Sequence, residues 1–277
     1  MKNRIWLITG ISSGLGKALA EAVMNCGDFV IGTFRNKKQV DEFNDKYSRK
    51  GFSILLDITK ENEIENSIKK IITKYGRIDI LVNNAGIGFA GAIEETSLKE
   101  VRHVFESNFF GTLKLTQVIL PYMRKNRSGH IIQISSHGGV KAFAGFGIYN
   151  ASKFALEGFS EALIQEISPL VINVSIVEPG PFRTKFAGKG LGLAQEVIDD
   201  YSETAGIFRE KLKGVDGKQE GDPMKAAEAI INLTNSETPT LRLPLGKTAL
   251  MTIGMKLDSV KSDLESHRKT AESVVYK

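Results

Sequence analysis

The sequence carries one cysteine, one tryptophan and seven prolines in 277 residues. A lone Cys26 excludes an intrachain disulfide framework and fits a reducing compartment; it reads as a small buried apolar residue on a helix. No apolar run approaches the ~18 residues that a membrane span requires. The opening "MKNRIWLITG" has a basic residue and a short apolar run. That run is too short for the core of a secretory signal and ends in a glycine-rich loop, so it reads as a first strand. A cytoplasmic protein with no membrane contact is the expectation. The histidines His103, His130, His137 and His267 lie in no acid or cysteine cluster with ligand spacing, so no metal is expected. Nor does the net charge of +5 point to nucleic acid, because the lysines interleave with acids on helical segments such as "SIKKIITKYG".

What is present is an ordinary globular balance, 42% hydrophobic and 25% charged, at a length that suits one large α/β domain. Near-continuous apolar runs, "RIWLITG", "DFVIGTF", "GFSILLD", "DILVNNAG", "GHIIQISS" and "LVINVSIVEPG", read as parallel strands buried on both faces. Between them lie segments with apolar residues every three or four positions, including the long "SLKEVRHVFESNFFGTLKLTQVILPYMRKN", read as helical throughout. This alternation predicts a single doubly wound parallel sheet of the Rossmann type, with helices on both faces, over residues 1–277. After Pro179 the rhythm fails: residues from about 182 to 221 are glycine-dotted and hold no strand candidate, and they read as a mobile lid of loops and short helices. "DPMKAAEAIINLTNS" reopens a helix, "TLRLPLG" reads as a last strand, and 247–277 as a charged, peripheral helical extension.

"TGISSGLG", Thr9 to Gly16, follows the first strand and opens a helix. Gly10, Gly14 and Gly16 remove side chains where the backbone turns and where a pyrophosphate would approach the helix amino end, with Ser12, Ser13 and Leu15 between them. The spacing is not G-x-G-x-x-G, and a glycine turn alone is also explained by backbone geometry; position between strand and helix favours phosphate. The second strand ends "IGTFRNKK", where an acid would bind the ribose diol of NAD. Phe34 stands there instead, followed by Arg35, whose guanidinium can grip a 2′-phosphate that a carboxylate would repel, so NADP(H) is favoured over NAD(H). Lys37 and Lys38 read equally well as helpers or as solvated helix-start residues.

"YNASK" places Tyr149 and Lys153 four positions apart, on one helix face. The spacing alone fits a surface coincidence as well as a catalytic pair. Hydride transfer to a ketone puts negative charge on its oxygen, so a proton donor must sit within hydrogen-bond reach. A free tyrosine, with a pKa near ~10, holds its proton tightly, and an ammonium one turn away would lower that value. Ser136, 13 residues earlier at a strand's carboxyl end, is placed to hold the same oxygen or to cap a turn. Asn108 is a poor choice inside a helical pattern, which suggests a functional reason or a solvent-facing amide. In "NNAG", Asn83 reads as satisfying backbone groups of neighbouring strands, and Asn84, Ala85 and Gly86 as lying along the cofactor. Pro179 and Gly180 bend the chain out of its strand toward Phe182 and Thr184, the latter placed to bind a nicotinamide carboxamide. Val140, Phe143, Phe146 and Ile148 ahead of the tyrosine, with Phe186 in the lid, suggest a mostly apolar pocket, which His137 is placed to line.

"TGISSGLG", "NNAG", Asn108 in "ESNFFG", "ISS" ending at Ser136, "YNASK" and "PGPFRT" occur in the order and spacing of the short-chain dehydrogenase/reductase family, which the chain resembles over about residues 3 to 245. Within it, "VEPGPFRT" and "GDPMKAAEAI…LRLPLG" resemble bacterial oxidoreductases similar to 17β-hydroxysteroid dehydrogenases. The resemblance implies Tyr149 as general acid/base, Lys153 as the residue lowering its pKa, Ser136 as the substrate-orienting serine and Asn108 as part of a water-linked proton path. It also implies Asp57, with Ile58 beside it, near the adenine, and a homo-oligomer, dimer or tetramer, built partly through the helix of Tyr149. The expected activity is NADP(H)-dependent interconversion of a small hydrophobic carbonyl and its secondary alcohol. The rivals are a cofactor-retaining epimerase or dehydratase and a non-catalytic NADP-sensing protein.

Overall fold

The apolar runs form the strands of a computed structural model that describes residues 3–188 and 190–276. In chain order these are β1 (Ile5–Ile8), β2 (Phe29–Phe34), β3 (Gly51–Leu55), β4 (Ile80–Asn83), β5 (Gly88–Ala90), β6 (Gly129–Ile134), β7 (Ile172–Pro179), β8 (Leu191–Leu193) and β9 (Arg242–Leu245). The helices are α1 (Gly14–Asn25), α2 (Lys37–Tyr47), α3 (Glu61–Tyr75), α4 (Leu98–Phe105), α5 (Gly111–Asn126), α6 (Gly147–Ile167), α7 (Ile207–Gly214), α8 (Pro223–Asn235) and α9 (Lys247–Ser273). Seven strands make one parallel sheet in the order β3-β2-β1-β4-β6-β7-β9. The order reverses between β1 and β4, so a crevice opens at their carboxyl ends, where both the glycine turn and "NNAG" lie.

Side-chain alternation along the strands fills two layers. Trp6 and Ile8 point with α1, α2 and α8 residues such as Leu19, Val23, Phe43 and Ile230 into one. Ile5 and Leu7 point with Ile64, Ile68, Leu115, Ile119 and Leu163 of α3, α5 and α6 into the other. Burial on both faces is why these strands read as unbroken apolar runs.

Three expectations need correction. Cys26 is exposed at the C-cap of α1, because the helix ends before its face can turn back to the core. The long helical pattern from Ser97 is interrupted: α4 and α5 are joined by a π-helical turn over Glu106–Phe110, which inserts an extra residue without breaking the rod. The lid does contain a strand, since β8 pairs in parallel with β5, Leu191 opposite Gly88 and Leu193 opposite Ala90. The described lid residues also include α7, and the segment is closed at its ends by a bridge between Phe182 and Gly221. Among the described residues no helix is long and apolar enough to cross a membrane. The extension is peripheral as expected: Ala249 and Thr252 seat α9, and from Leu257 onward it is exposed.

Candidate active site

Tyr149 and Lys153 occupy the buried face of α6, one turn apart. Strand β6 ends at Ile134 and delivers Ser136 as the N-cap of a short 3-10 turn, His137–Gly139. The Ser136 hydroxyl accepts from the Gly138 amide at 3.0 Å and stands on the same side of that glycine as the Tyr149 ring, so it both caps the turn and faces the tyrosine. Gly138 lets the two meet: a Cβ there would stand 3.2 Å from Ser136 Oγ and 3.6 Å from Tyr149 Cε1.

Lys153 Nζ donates to the Ile134 carbonyl at 2.8 Å and lies 6.0 Å from the Tyr149 ring centroid. Burial pushes the phenol up to about 12, the Ser136 hydroxyl opposing it. Burial likewise pulls Lys153 down to about 8, and the charge of Glu157 opposes that. The expected lowering of the phenol by the ammonium is therefore outweighed in this structure. Loss of water dominates, and the ammonium is engaged with a carbonyl rather than with the phenol oxygen.

Asn108 sits in the π-helical turn, which aims its amide inward; the side chain is buried. Its Nδ2 donates to Ile87 O at 2.9 Å and Ser152 Oγ at 3.0 Å, and its Oδ1 accepts from Ile87 N at 2.8 Å. The solvent-facing alternative is excluded. A Cβ on Gly86 would approach Asn108 Oδ1 to 3.0 Å and Lys153 Nζ to 3.7 Å, so both side chains converge on this glycine. Asn108, Ser136, Tyr149 and Lys153 thus form one constellation.

On the phosphate side, Gly10 and Gly14 have φ of 70° and 60°, a region in which a side chain is strained. Gly16 packs against Asn84, whose Nδ2 would lie 2.3 Å from an added Cβ. No side chain caps the amino end of α1 at Ser13, and its first turn holds no acid. Its first amides therefore have no intrahelical acceptor and suit an anion, which is the fit a dinucleotide pyrophosphate demands. Thr184 folds back against this turn, its Cβ 3.3 Å from where a Gly14 Cβ would be, while Gly180 donates to Leu245 O at 2.8 Å. Pro179 ends β7 beside them. Phe182 packs instead on Gly221 at the foot of the lid.

Arg35 is exposed directly after β2 and makes no ion pair among the described residues. Lys37 and Lys38 pair along α2 with Asp41 and Glu42, the solvated-helix reading. Asp57 accepts from Thr59 N at 3.0 Å and Thr59 Oγ1 at 2.9 Å. Burial pushes its carboxyl up, but the Thr59 hydrogen bonds and the charge of Arg35 outweigh it, and the group lies below the ordinary carboxylate range. Ile58 is buried, its carbonyl against Gly111.

The roles of the two asparagines in "NNAG" differ from expectation. Asn83 Nδ2 reaches side chains, Thr116 Oγ1 at 3.1 Å and Gln133 Oε1 at 3.0 Å, rather than strand backbone. It is Asn84 that holds main chain, donating to Thr9 O at 2.8 Å and Gly10 O at 3.1 Å. Thr9, unremarked in the sequence, accepts from the Asn84 and Ala85 amides, and Thr33 Oγ1 accepts from Gly10 N. These hydroxyls tie the glycine turn to "NNAG".

An apolar wall covers the tyrosine. Phe146 stacks on it at 4.3 Å and Phe186 meets it edge-on at 5.6 Å. Phe143 stands 5.1 Å from the His137 ring, which itself accepts or donates through Nδ1 to Thr252 Oγ1 of α9 at 2.9 Å. Phe208 of the lid faces Phe143 and Phe146, a contact that the weak periodicity of this segment hid. The lid is pinned by a pair that the sequence analysis missed: Arg209 grips buried Glu95 through Nη1 at 2.6 Å and Nη2 at 3.2 Å. Asn150, also missed, clamps the loop between the serine and the tyrosine through Gly138 O and Phe143 N. Its only signal was an amide inside a helical pattern.

A profile of the short chain dehydrogenase family matches residues 4–190. A short-chain dehydrogenase from Streptomyces avermitilis superposes with a TM-score of 0.93 at 42% identity, covering 99% of this chain and 100% of that one. The 3-ketodihydrosphingosine reductase of Bacteroides thetaiotaomicron is 36% identical over 89% of each chain. ElxO, solved with NADP bound, matches with a TM-score of 0.74 at 26% identity over 90% of this chain and 99% of its own. The fold, the constellation around Tyr149 and these matches agree that the chain belongs to the short-chain dehydrogenase/reductase family of NAD(P)-binding oxidoreductases.

Proposed function

We propose that the chain is an NADP(H)-dependent reductase of an apolar ketone, with Tyr149 as proton donor. The observation that carries this is Ser136 and Tyr149 side by side across Gly138, walled by Phe146 and Phe186. A carbonyl oxygen placed between the two hydroxyls is oriented by Ser136 and protonated by Tyr149 as it gains negative charge. NADPH, when bound, supplies the hydride. The amides opening α1 would hold its pyrophosphate, Thr184 its nicotinamide end and Arg35 its 2′-phosphate.

Burial keeps the phenol protonated at neutral pH, the form in which it can donate. A phenol pushed up to about 12 is a poor base at neutral pH, yet it remains a far stronger acid than the alcohol that an alkoxide becomes. Lys153 adds positive potential behind it, and Asn108 fixes the Gly86–Ile87 backbone near that ammonium. A relative named for reduction of 3-ketodihydrosphingosine supports a ketone as substrate. We read the protein as a cytoplasmic homo-oligomer. The test is NADPH consumption over a panel of hydrophobic ketones, with equimolar alcohol formed. Tyr149→Phe is expected to lower kcat by about 10²- to 10⁴-fold. Unchanged turnover in this variant would refute the assignment, and turnover without net NADPH loss would identify a cofactor-retaining enzyme instead.

A further inference from the structure

We propose that Glu157 is a positioning residue for this reaction, its buried carboxylate keeping the Lys153 ammonium charged and seated behind Tyr149. The inference rests on the proposed role of Lys153. Tyr149, Lys153 and Glu157 follow one another at four-residue steps on the buried face of α6, and all three are less than one-tenth exposed. An ammonium at such depth loses its hydration, and the Ile134 carbonyl is its hydrogen-bond acceptor among the described residues. Of the neighbouring charges, Glu157 is the one that raises the lysine against the effect of burial.

The surroundings of Glu157 suit that role. Arg242 from β9 binds its Oε2 at 2.7 Å and also holds Glu178 of β7 and Glu161 of α6. Three carboxylates thus share one guanidinium, which leaves the cluster negative when all are ionised. The second oxygen, Glu157 Oε1, is buried without a hydrogen-bond partner among the described residues. It lies beside Ser135 Oγ: a Cβ on Gly139 would meet the serine oxygen at 2.6 Å and Glu157 Oε1 at 3.0 Å. Its field still reaches Lys153, which it raises although Ser135 and Arg242 act on the same carboxylate.

The charged groups facing Glu157 are Lys153 and Glu161 from its own helix, Glu178 from β7 and Arg242 from β9. The turn after β6 adds the neutral Ser135 and Gly139, while His137 in that turn is tied to Thr252. Burial pushes Glu157 up to about 7, with Ser135 and Arg242 opposing it and Glu178 adding to it. The carboxylate is therefore mostly ionised at the midpoint of Lys153, at about 8, and takes up its proton just below it.

The test reads Lys153 directly in the protein without nucleotide. Lysine is labelled with ¹³C at Cε, the Lys153 signal is assigned through Lys153→Arg, and its shift is followed against pH. Glu157→Gln keeps the shape and removes the charge; the Lys153 midpoint is expected to fall by about one unit. The basic limb of kcat/KM for ketone reduction should fall with it, and Glu157→Asp should restore part of the shift. A folded Glu157→Gln protein with an unmoved Lys153 midpoint overturns the proposal. The unmodified protein gives a second measurement that does not depend on the variant folding: the Lys153 signal should show a smaller step where the Glu157 Cδ signal titrates. A Lys153 curve without that step also overturns it. Either failure leaves the Tyr149 assignment standing, because that is tested separately by Tyr149→Phe turnover.

Discussion

Replacing Arg209 by methionine keeps most of the side-chain volume at the lid's anchor but strands the Glu95 carboxylate. Glu95 is 1% exposed, and besides the guanidinium it accepts from the Ala92 amide at 2.7 Å and the Ile198 amide at 3.0 Å. Burial pushes its carboxyl up, but those amides and Arg209 together hold it below the ordinary range. Removing one partner of a buried pair costs about 3–5 kcal/mol, whereas removing both with neutral groups costs far less. The loss falls first on the segment fastened by the pair, which carries Phe208 against Phe143 and Phe146. Arg209→Met is therefore expected to increase the rate of protease cleavage within 182–221 by about 100-fold or more, the lower bound of that energy expressed as a local opening constant. The ketone kcat/KM should fall as well, and Glu95→Gln/Arg209→Met should recover only part of the protection, because a glutamine oxygen can accept from just one of the Ala92 and Ile198 amides. Because the folded carboxyl is depressed, the protection is present above the unfolded carboxyl range and lost as pH falls through the folded value. Cleavage and kcat/KM within about twofold of the unmodified protein, together with a double variant no better than the single, would refute the reasoning.

Three further outcomes are expected. Arg35→Ala should raise the Kd for NADPH by about 10- to 100-fold, the loss of a charge-assisted phosphate contact, and leave that for NADH nearly unchanged; calorimetric titration of both nucleotides checks it. Gly14→Ala meets φ of 60° and the Thr184 side chain at 3.3 Å, so nucleotide binding should weaken by about tenfold, measured by NADPH fluorescence. His130 is buried against Ser175 and pulled down to about 4 by burial and by the charge of Arg4. The folded state thus disfavours the proton that the unfolded chain takes up near ~6.5, so this stability is full above that value and declines by about 3 kcal/mol toward pH 4. Urea unfolding at stepped pH, with His130→Asn flattening the slope, checks the sign.

The sheet, the glycine turn and the Tyr149–Lys153 spacing were legible because each is written in a few adjacent residues. The π-helical turn at Asn108 was not, since one inserted residue leaves the apolar spacing nearly intact. The strand at Leu191–Leu193 was invisible for another reason: its partner, Gly88–Ala90, is a hundred positions away and neither segment has the branched residues of a strand. That Asn83 is held by side chains while Asn84 holds the main chain of the glycine turn was not legible, because strand register decides which groups each side chain meets. Lowering of the phenol was expected from sequence spacing, which reports distance along a helix but not the depth of burial. The pairs Glu95–Arg209 and Glu157–Arg242 join residues that are more than eighty positions apart, and nothing local marks them.

The short ladder between β5 and β8 fastens the roof of the pocket through main-chain atoms, which every amino acid possesses. Leu193, 44% exposed, can therefore be exchanged for larger or smaller residues while this ladder keeps its seat, whereas a Cβ on Gly192 would meet Phe89 at 3.0 Å. An oxidoreductase built this way can change the wall above Tyr149 by single substitutions and leave the residues beneath it undisturbed.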